Sequence, residues 1–467
     1  MKTILIVLAL LFSTFTLSFE LPIELSGTIE ISIKSGTIDA NFQLKNIPKL
    51  NNYLIHLNAG FNIQSFRNEK EGYNYTYEKD YNTQYSEESF GYFFRNDATK
   101  NKFLPEIIQF KYTGKFPVIT DISKASDRGD WKGNIAFNGK TIRTDGFQTA
   151  WYPILYDIEQ DKRYDEVTYN IEVVCLDCKS IYVNGSKPIS STHGVFKREK
   201  PTSLTLFAGD YNIGKHENSY YLNSDLSTQQ MSELGKMTAT FERYYQDKLS
   251  IPYGESVVYI HTAPISKYDS WLFVAYPSIV LMNHNDGGLS NLVEETDSNW
   301  FKPFIAHELA HYYFGTYKKF NSELGDMFTE SLAEYLSLKL TKNLLGDNKY
   351  LGNINRKLSK LKNIKITAFK NIEKSADYDD RELYVYTYAP IIWLALEQEI
   401  GEEKMWLWLN KMLTVETEKT DYKFMIKTLA SVLKNEEQLL LLVDRYFANK
   451  NAINNAKTLL IKLKNNI

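Results

Sequence analysis

The sequence predicts a multidomain α+β protein, an all-β sandwich followed by a mainly helical domain, and three observations carry that prediction. At 467 residues and 43% hydrophobic content, the chain exceeds the roughly 250–300 residues at which a single hydrophobic core stops growing. From about Glu20 to Pro201 it reads as short strands: IELSGTIEISIKSGTIDANFQL alternates apolar and polar residues, and Gly, Asn, Asp and Lys punctuate the later runs. From about Ser227 the period becomes that of helices, first in MSELGKMTATFERYYQDKL.

Taken in order, residues 1–18 combine a positive start at Lys2, an unbroken apolar stretch from Ile4 to Phe12 and the small residues of Thr16-Leu-Ser18. That is the pattern of a removable export signal, which places the mature chain in a periplasmic or secreted compartment. No later stretch approaches the roughly 20 apolar residues of a membrane helix, so no integral membrane segment is expected after signal removal. Residues 19–204 make up the β-sandwich domain, which closes after the polar KREKPTS segment. Inside it lie the chain's two cysteines, Cys175 and Cys178. With no second ligand pair they do not make a zinc ribbon, and in an exported protein they are disulfide candidates.

Residues 205–450 form the second domain. Its expected strands are VVYIHTAPI and WLFVAYPSIVLM, and helices follow from near Trp300 almost to the end, with a helical tail over 451–467. A net charge of -3 from 54 basic and 57 acidic side chains builds no strong field of either sign. Nucleic acid and anionic membranes are therefore not indicated, and the partner class is small or peptide-like.

Chemistry concentrates in FIAHELAHYYFGTYKKFNSELGDMFTESLAEYLSL. With Lys302 to Tyr317 helical, His307 and His311 share one face about 6 Å apart along the axis, so both imidazoles reach one metal ion. Glu308, beside the first histidine, can activate a water in an open coordination position without binding the ion itself. Catalytic zinc commonly takes three protein ligands and a water, so a third ligand is required. Glu330 supplies it from a second helix, with Asp326 as N-cap and Phe328, Leu332 and Leu336 as its apolar stripe. Glu334, one turn later, can bond a ligand imidazole and fix its tautomer. The expected cofactor is one zinc ion. His56, His193, His216, His261 and His284 show no metal-ligand spacing.

The pattern His307-Glu308-x-x-His311, eighteen residues, then Glu330 resembles the gluzincins of the M1 aminopeptidase family, as do HYYFG and TESLAEY around it. TAWYPIL, VTYNIEVV, YVNG, LTLFAGDYNI, FERYYQDKLSIPYGESVVYIH and YTYAPIIWLALEQEIGEEKMW extend the likeness over about Trp151 to Ala448. The resemblance implies a thermolysin-like catalytic domain over 205–450, a peptide substrate and zinc. It also implies that Tyr386, at the tyrosine of the family's Tyr-x-Lys-Gly, donates to the tetrahedral oxyanion.

Two departures qualify it. Tyr388 and Ala389 replace the lysine and glycine of that motif. The exopeptidase motif Gly-Ala-Met-Glu-Asn has Phe273-Val-Ala-Tyr-Pro277 as its counterpart, with Ala275 where the amine-binding glutamate is expected. On this resemblance, no counterpart of the family's large C-terminal helical domain is expected after residue 450. The function expected is a zinc metallopeptidase of M1 aminopeptidase type. The alternatives are an endopeptidase or a non-peptide hydrolase on the same site, or a catalytically silent peptide-binding protein.

Overall fold

A computed structural model describes residues 21–68, 72–81, 88–96, 98–128, 135–268, 270–283, 288–361 and 366–464. The expected export signal over 1–18 and His284 lie outside them. Strands Glu24–Ser32 and Thr37–Lys45 pair antiparallel, with Leu25 opposite Leu44 and Ile31 opposite Ile38. On Thr37–Lys45 every second residue, Ile38, Ala40, Phe42 and Leu44, is buried, the period-two signature of a strand with one face on a core. Glu24–Ser32 also pairs in parallel with Glu166–Cys175 in a six-stranded sheet.

A four-stranded and a second six-stranded sheet share that sheet's core, in which Phe42, Phe94, Ile142 and Trp151 are fully buried. These are the layers of the expected sandwich. Cys175 and Cys178 are joined in a disulfide. Asp177, between them, accepts from the backbone N–H groups of Ile33 (2.7 Å) and Lys34 (3.0 Å) and from Ser32 Oγ (2.9 Å), tying the clip to the neighbouring hairpin.

The helical part opens with α1 (Thr228–Leu249), started by a capping box between Ser227 and Gln230. A five-stranded mixed sheet beside it runs in the order Ile213–His216, Ser219–Leu222, Val258–Thr262, Ser278–Met282, Trp271–Ala275, which leaves Trp271–Ala275 at an edge. Then come α2 (Glu295–Ala310), α3 (Gly325–Lys360), a π-helical turn (Tyr384–Tyr388) and α4 (Ala389–Ile400). Further helices continue to Ala452–Lys464. Tyr313, Phe328, Leu332, Leu336, Trp393 and Trp408 are central in the second core. A small third cluster joins Tyr182 and Phe207 to Val258, Ile260 and Val280.

Two expectations about helices are corrected. The first zinc-motif helix runs from Glu295 to Ala310 and not from Lys302 to Tyr317. His311 stands at its end with helical backbone angles (φ -63°, ψ -16°), and tight turns carry the chain on to Gly315. There a φ of +145° suits only glycine and stops the helix. Asp326 is not a cap: α3 starts at Gly325, and Asp326 sits in the first turn, where its carboxylate takes both arms of Arg381 at 2.6 and 2.7 Å. A further feature, on which the sequence carried no expectation, is that α3 is bent sharply at Gly346 (φ 81°, ψ 172°) into arms 325–345 and 347–360.

Candidate metal centre

α2 and α3 pack closely, and the bonds between their neighbours set the packing. Tyr245 of α1 donates to the Ala306 carbonyl at 2.8 Å, and Ser337 of α3 donates to the Pro303 carbonyl at 2.6 Å. The result is a triangle of donor atoms. His307 Nε2 and His311 Nε2 are 3.1 Å apart, and each lies 3.4 Å from Glu330 Oε2. A tetrahedral zinc with donors at about 2.0–2.1 Å demands donor–donor edges of about 3.3–3.4 Å, so the three residues fit that ion in chemistry and in spacing. Among the described residues one other cluster could offer three ligand atoms, Cys175, Asp177 and Cys178, but its sulfurs are spent in the disulfide.

The outer ring nitrogens are directed as metal-binding histidines require. His307 Nδ1 is 3.0 Å from Glu334 Oε2, and His311 Nδ1 is 3.3 Å from the Phe314 carbonyl. An N–H on each Nδ1 leaves both Nε2 lone pairs facing inward. Burial opposes charge on Glu330, yet His311 and His307 beside it hold its carboxyl well below the usual range. Burial likewise disfavours the charged His307 ring, but the bonds to Glu330 and Glu334 prevail and raise it to about 10, so a metal ion binding at Nε2 displaces a proton there.

Behind this layer, Glu334 Oε1 is 2.5 Å from Lys357 Nζ. Burial would raise the Glu334 carboxyl, but Lys357 and His307 bring it down to about 2. Lys357 also donates to the Tyr386 carbonyl at 2.6 Å. Neither Lys357 nor Arg381 was singled out from the sequence; the one signal for Lys357 is Pro390, four residues after Tyr386, which lacks the N–H that a helix would offer to the Tyr386 carbonyl.

Glu308 lies between this triangle and the edge strand. Burial raises its carboxyl, His307 and His311 counteract, and the Val274 N–H donates to it. The Tyr386 ring is 5.8 Å from the His307 ring, and its hydroxyl bonds Glu330. Burial first, and then the charge of Glu330, raise the phenol so that it stays protonated. Tyr388 is turned away, buried against Phe369 and Tyr384. Ala275 ends the edge strand Trp271–Ala275, whose sequence WLFVA carries no acidic side chain. His56, His193 and His261 bond Ser89, Glu172 and Asn283 respectively, away from the triangle.

No protein-family model matches the sequence, and no curated protein matches it either. Solved structures do match. Native yeast LTA4 hydrolase superposes with a TM-score of 0.61 at 13% identity, covering 90% of this chain and 66% of that one. The chain thus spans about two thirds of that relative's length. The M1 zinc metallopeptidase from Deinococcus radiodurans gives a TM-score of 0.57 at 11% identity, covering 90% and 93% of the two chains. A mutant M1 zinc metallopeptidase from the same organism, bound to a Tyr-Ser-Ala substrate, gives 0.58 at 12% identity over 90% and 92%. The chain therefore has the fold shared by M1 zinc metallopeptidases and LTA4 hydrolase.

Proposed function

We propose that the chain is a zinc-dependent peptidase whose metal is held by His307, His311 and Glu330. The observation that carries this is the triangle of 3.1 and 3.4 Å edges between three deprotonatable donors of the right chemistry. When bound, zinc supplies Lewis acidity, polarising a scissile carbonyl and acidifying a water towards a pKa of about 7. The side chains do the rest. Glu308 accepts the proton of the attacking water and returns it to the leaving amine. Tyr386, protonated and beside the ligands, donates to the oxyanion. Glu334 keeps His307 in the tautomer that presents Nε2. The fold and the Tyr-Ser-Ala substrate of one neighbour support a peptide as the reactant.

A second reading of specificity is favoured by the stretch Phe273–Pro277, in which neither Ala275 nor Tyr276, the fourth residue and so the one opposite the motif's glutamate, carries a carboxylate. The strand Trp271–Ala275 offers no carboxylate for a free α-amine, so cleavage inside a peptide is as compatible with this wall as removal of its first residue. Export completes the reading: the disulfide Cys175–Cys178 suits an oxidising compartment. Among the described residues no helix is long and apolar enough to cross a membrane.

The test is a peptide-library digest with zinc-loaded protein, read by mass spectrometry for cut positions and run in parallel on Glu308→Gln. Wild type should cut while the variant keeps its zinc and turns over about 10²–10⁴-fold more slowly; equal rates would refute the assignment. Free and N-acetylated forms of one good substrate then separate the two specificities.

A further inference from the structure

We propose that Lys357 is a positioning residue that holds the carboxylate behind His307 and the backbone turn carrying Tyr386 in fixed relation to each other. The inference rests on the peptidase reading above and adds a residue to it. A single ammonium makes both contacts, 2.5 Å to Glu334 Oε1 and 2.6 Å to the Tyr386 carbonyl. The other oxygen of Glu334 lies 3.0 Å from His307 Nδ1. A continuous path of three polar contacts therefore runs from the backbone of the oxyanion donor to the ring of a metal ligand.

Each contact answers a specific physical demand. In an α-helix the Tyr386 carbonyl would accept from the N–H four residues on, but residue 390 is proline and has none. The π-helical turn Tyr384–Tyr388 sits at this interruption, and Lys357 provides a donor from outside the helix. Glu334, for its part, would be a carboxylate withdrawn from water beside a histidine; the ammonium compensates its charge and leaves one oxygen aimed at Nδ1. Lys357 is only 8% exposed, so it is committed to these partners rather than to solvent.

The chain has gone out of its way to bring this lysine here. Lys357 is twenty-three residues after Glu334 on α3, and on a straight helix the two would be about 34 Å apart. The bend at Gly346 folds the second arm back. Its backbone angles lie in a region open essentially to glycine alone.

The experiment uses the full chain and two readouts: zinc affinity by competition with a chromophoric chelator, and kcat and KM at saturating zinc on a peptide the wild type cuts. Lys357→Met should weaken zinc by about 10–100-fold through Glu334 and lower kcat by about tenfold or more through Tyr386, with KM moving less than about threefold. The zinc effect should vanish in a Glu334→Gln background and the kcat effect in a Tyr386→Phe background, whereas Lys357→Arg, which keeps charge and donors, should recover both. Should the methionine variant not fold, Lys357→Gln is judged by the same criteria. Zinc affinity and kcat within about twofold of wild type, or losses that persist undiminished in those two backgrounds, would overturn the proposal. If the wild type cuts no peptide, the peptidase reading fails, and the zinc measurements still decide whether Lys357 acts through Glu334.

Discussion

Two buried lysines project from α3, and their surroundings differ in one respect that separates packing from chemistry. Lys339 is 2.6 Å from Glu397 Oε1, and the other oxygen of Glu397 accepts from the Tyr335 hydroxyl at 2.8 Å. That chain lies among helices and, through a 3.4 Å contact of Lys339 with Glu402, runs out towards solvent, so it meets no metal ligand. Lys357 makes the same kind of bond to Glu334, but there the second oxygen touches His307. A buried ammonium–carboxylate pair is thus a common device on this helix. Its function is set by what the far oxygen of the carboxylate meets.

The largest loss is expected at Lys339. Lys339→Met leaves Glu397 charged and buried, which should cost about 3–5 kcal/mol in urea denaturation, with zinc affinity unchanged in the protein that remains folded. Replacing the whole group, Lys339→Met with Glu397→Leu and Tyr335→Phe, should return stability to within about 1 kcal/mol of wild type. A zinc affinity that falls with Lys339→Met would erase the distinction between the two lysines.

The Lys357 end is best probed at the bend. Gly346 holds φ 81° and ψ 172° with open space around it, so Gly346→Ala meets backbone strain and no clash, at a cost of about 1–3 kcal/mol. Because the bend delivers Lys357, the same variant should also weaken zinc binding, which a substitution at the exposed Gly352 should not do. Chelator competition on both proteins checks this.

The smallest effect concerns Glu402, which lies 3.4 Å from Lys339 and is 47% exposed. Burial would raise its carboxyl, but Trp406, Lys339 and Lys248 lower it to about 2 from an ordinary 4.5. A depressed folded-state value means that its stabilisation is complete above pH 4.5 and is lost as the pH falls through 2. Glu402→Gln should therefore destabilise by less than about 1 kcal/mol at neutral pH, because solvent screens the pair. The difference should shrink in thermal melts as the pH is lowered through that window.

What the sequence made legible was what lies close along the chain. His307 and His311 could be placed together because helical period turns a spacing of four into a shared face, Glu308 because it adjoins His307, and Glu330 because zinc needs a third ligand and the next helix offers one; the strands from Glu24 to Lys45 were legible because alternation survives wherever one face is buried. Helix ends were misjudged where backbone conformation, not composition, decides them. The apolar HYYFG run continues the helical look past His311 until Gly315 breaks it, and Asp326 resembles a cap although Arg381, fifty-five residues later, is its partner. Lys357 was out of reach for the same reason. Gly346 inside a helical run signals a weak point, but nothing in it says which way the second arm folds.

If His307, His311 and Glu330 converge on one metal ion, anomalous diffraction at the zinc edge from crystals of the zinc-loaded protein will locate it. One peak per chain is expected, about 2.0–2.1 Å from His307 Nε2, His311 Nε2 and Glu330 Oε2. Zinc bound elsewhere, or none between these three atoms at saturating metal, would rule out a centre formed by these ligands.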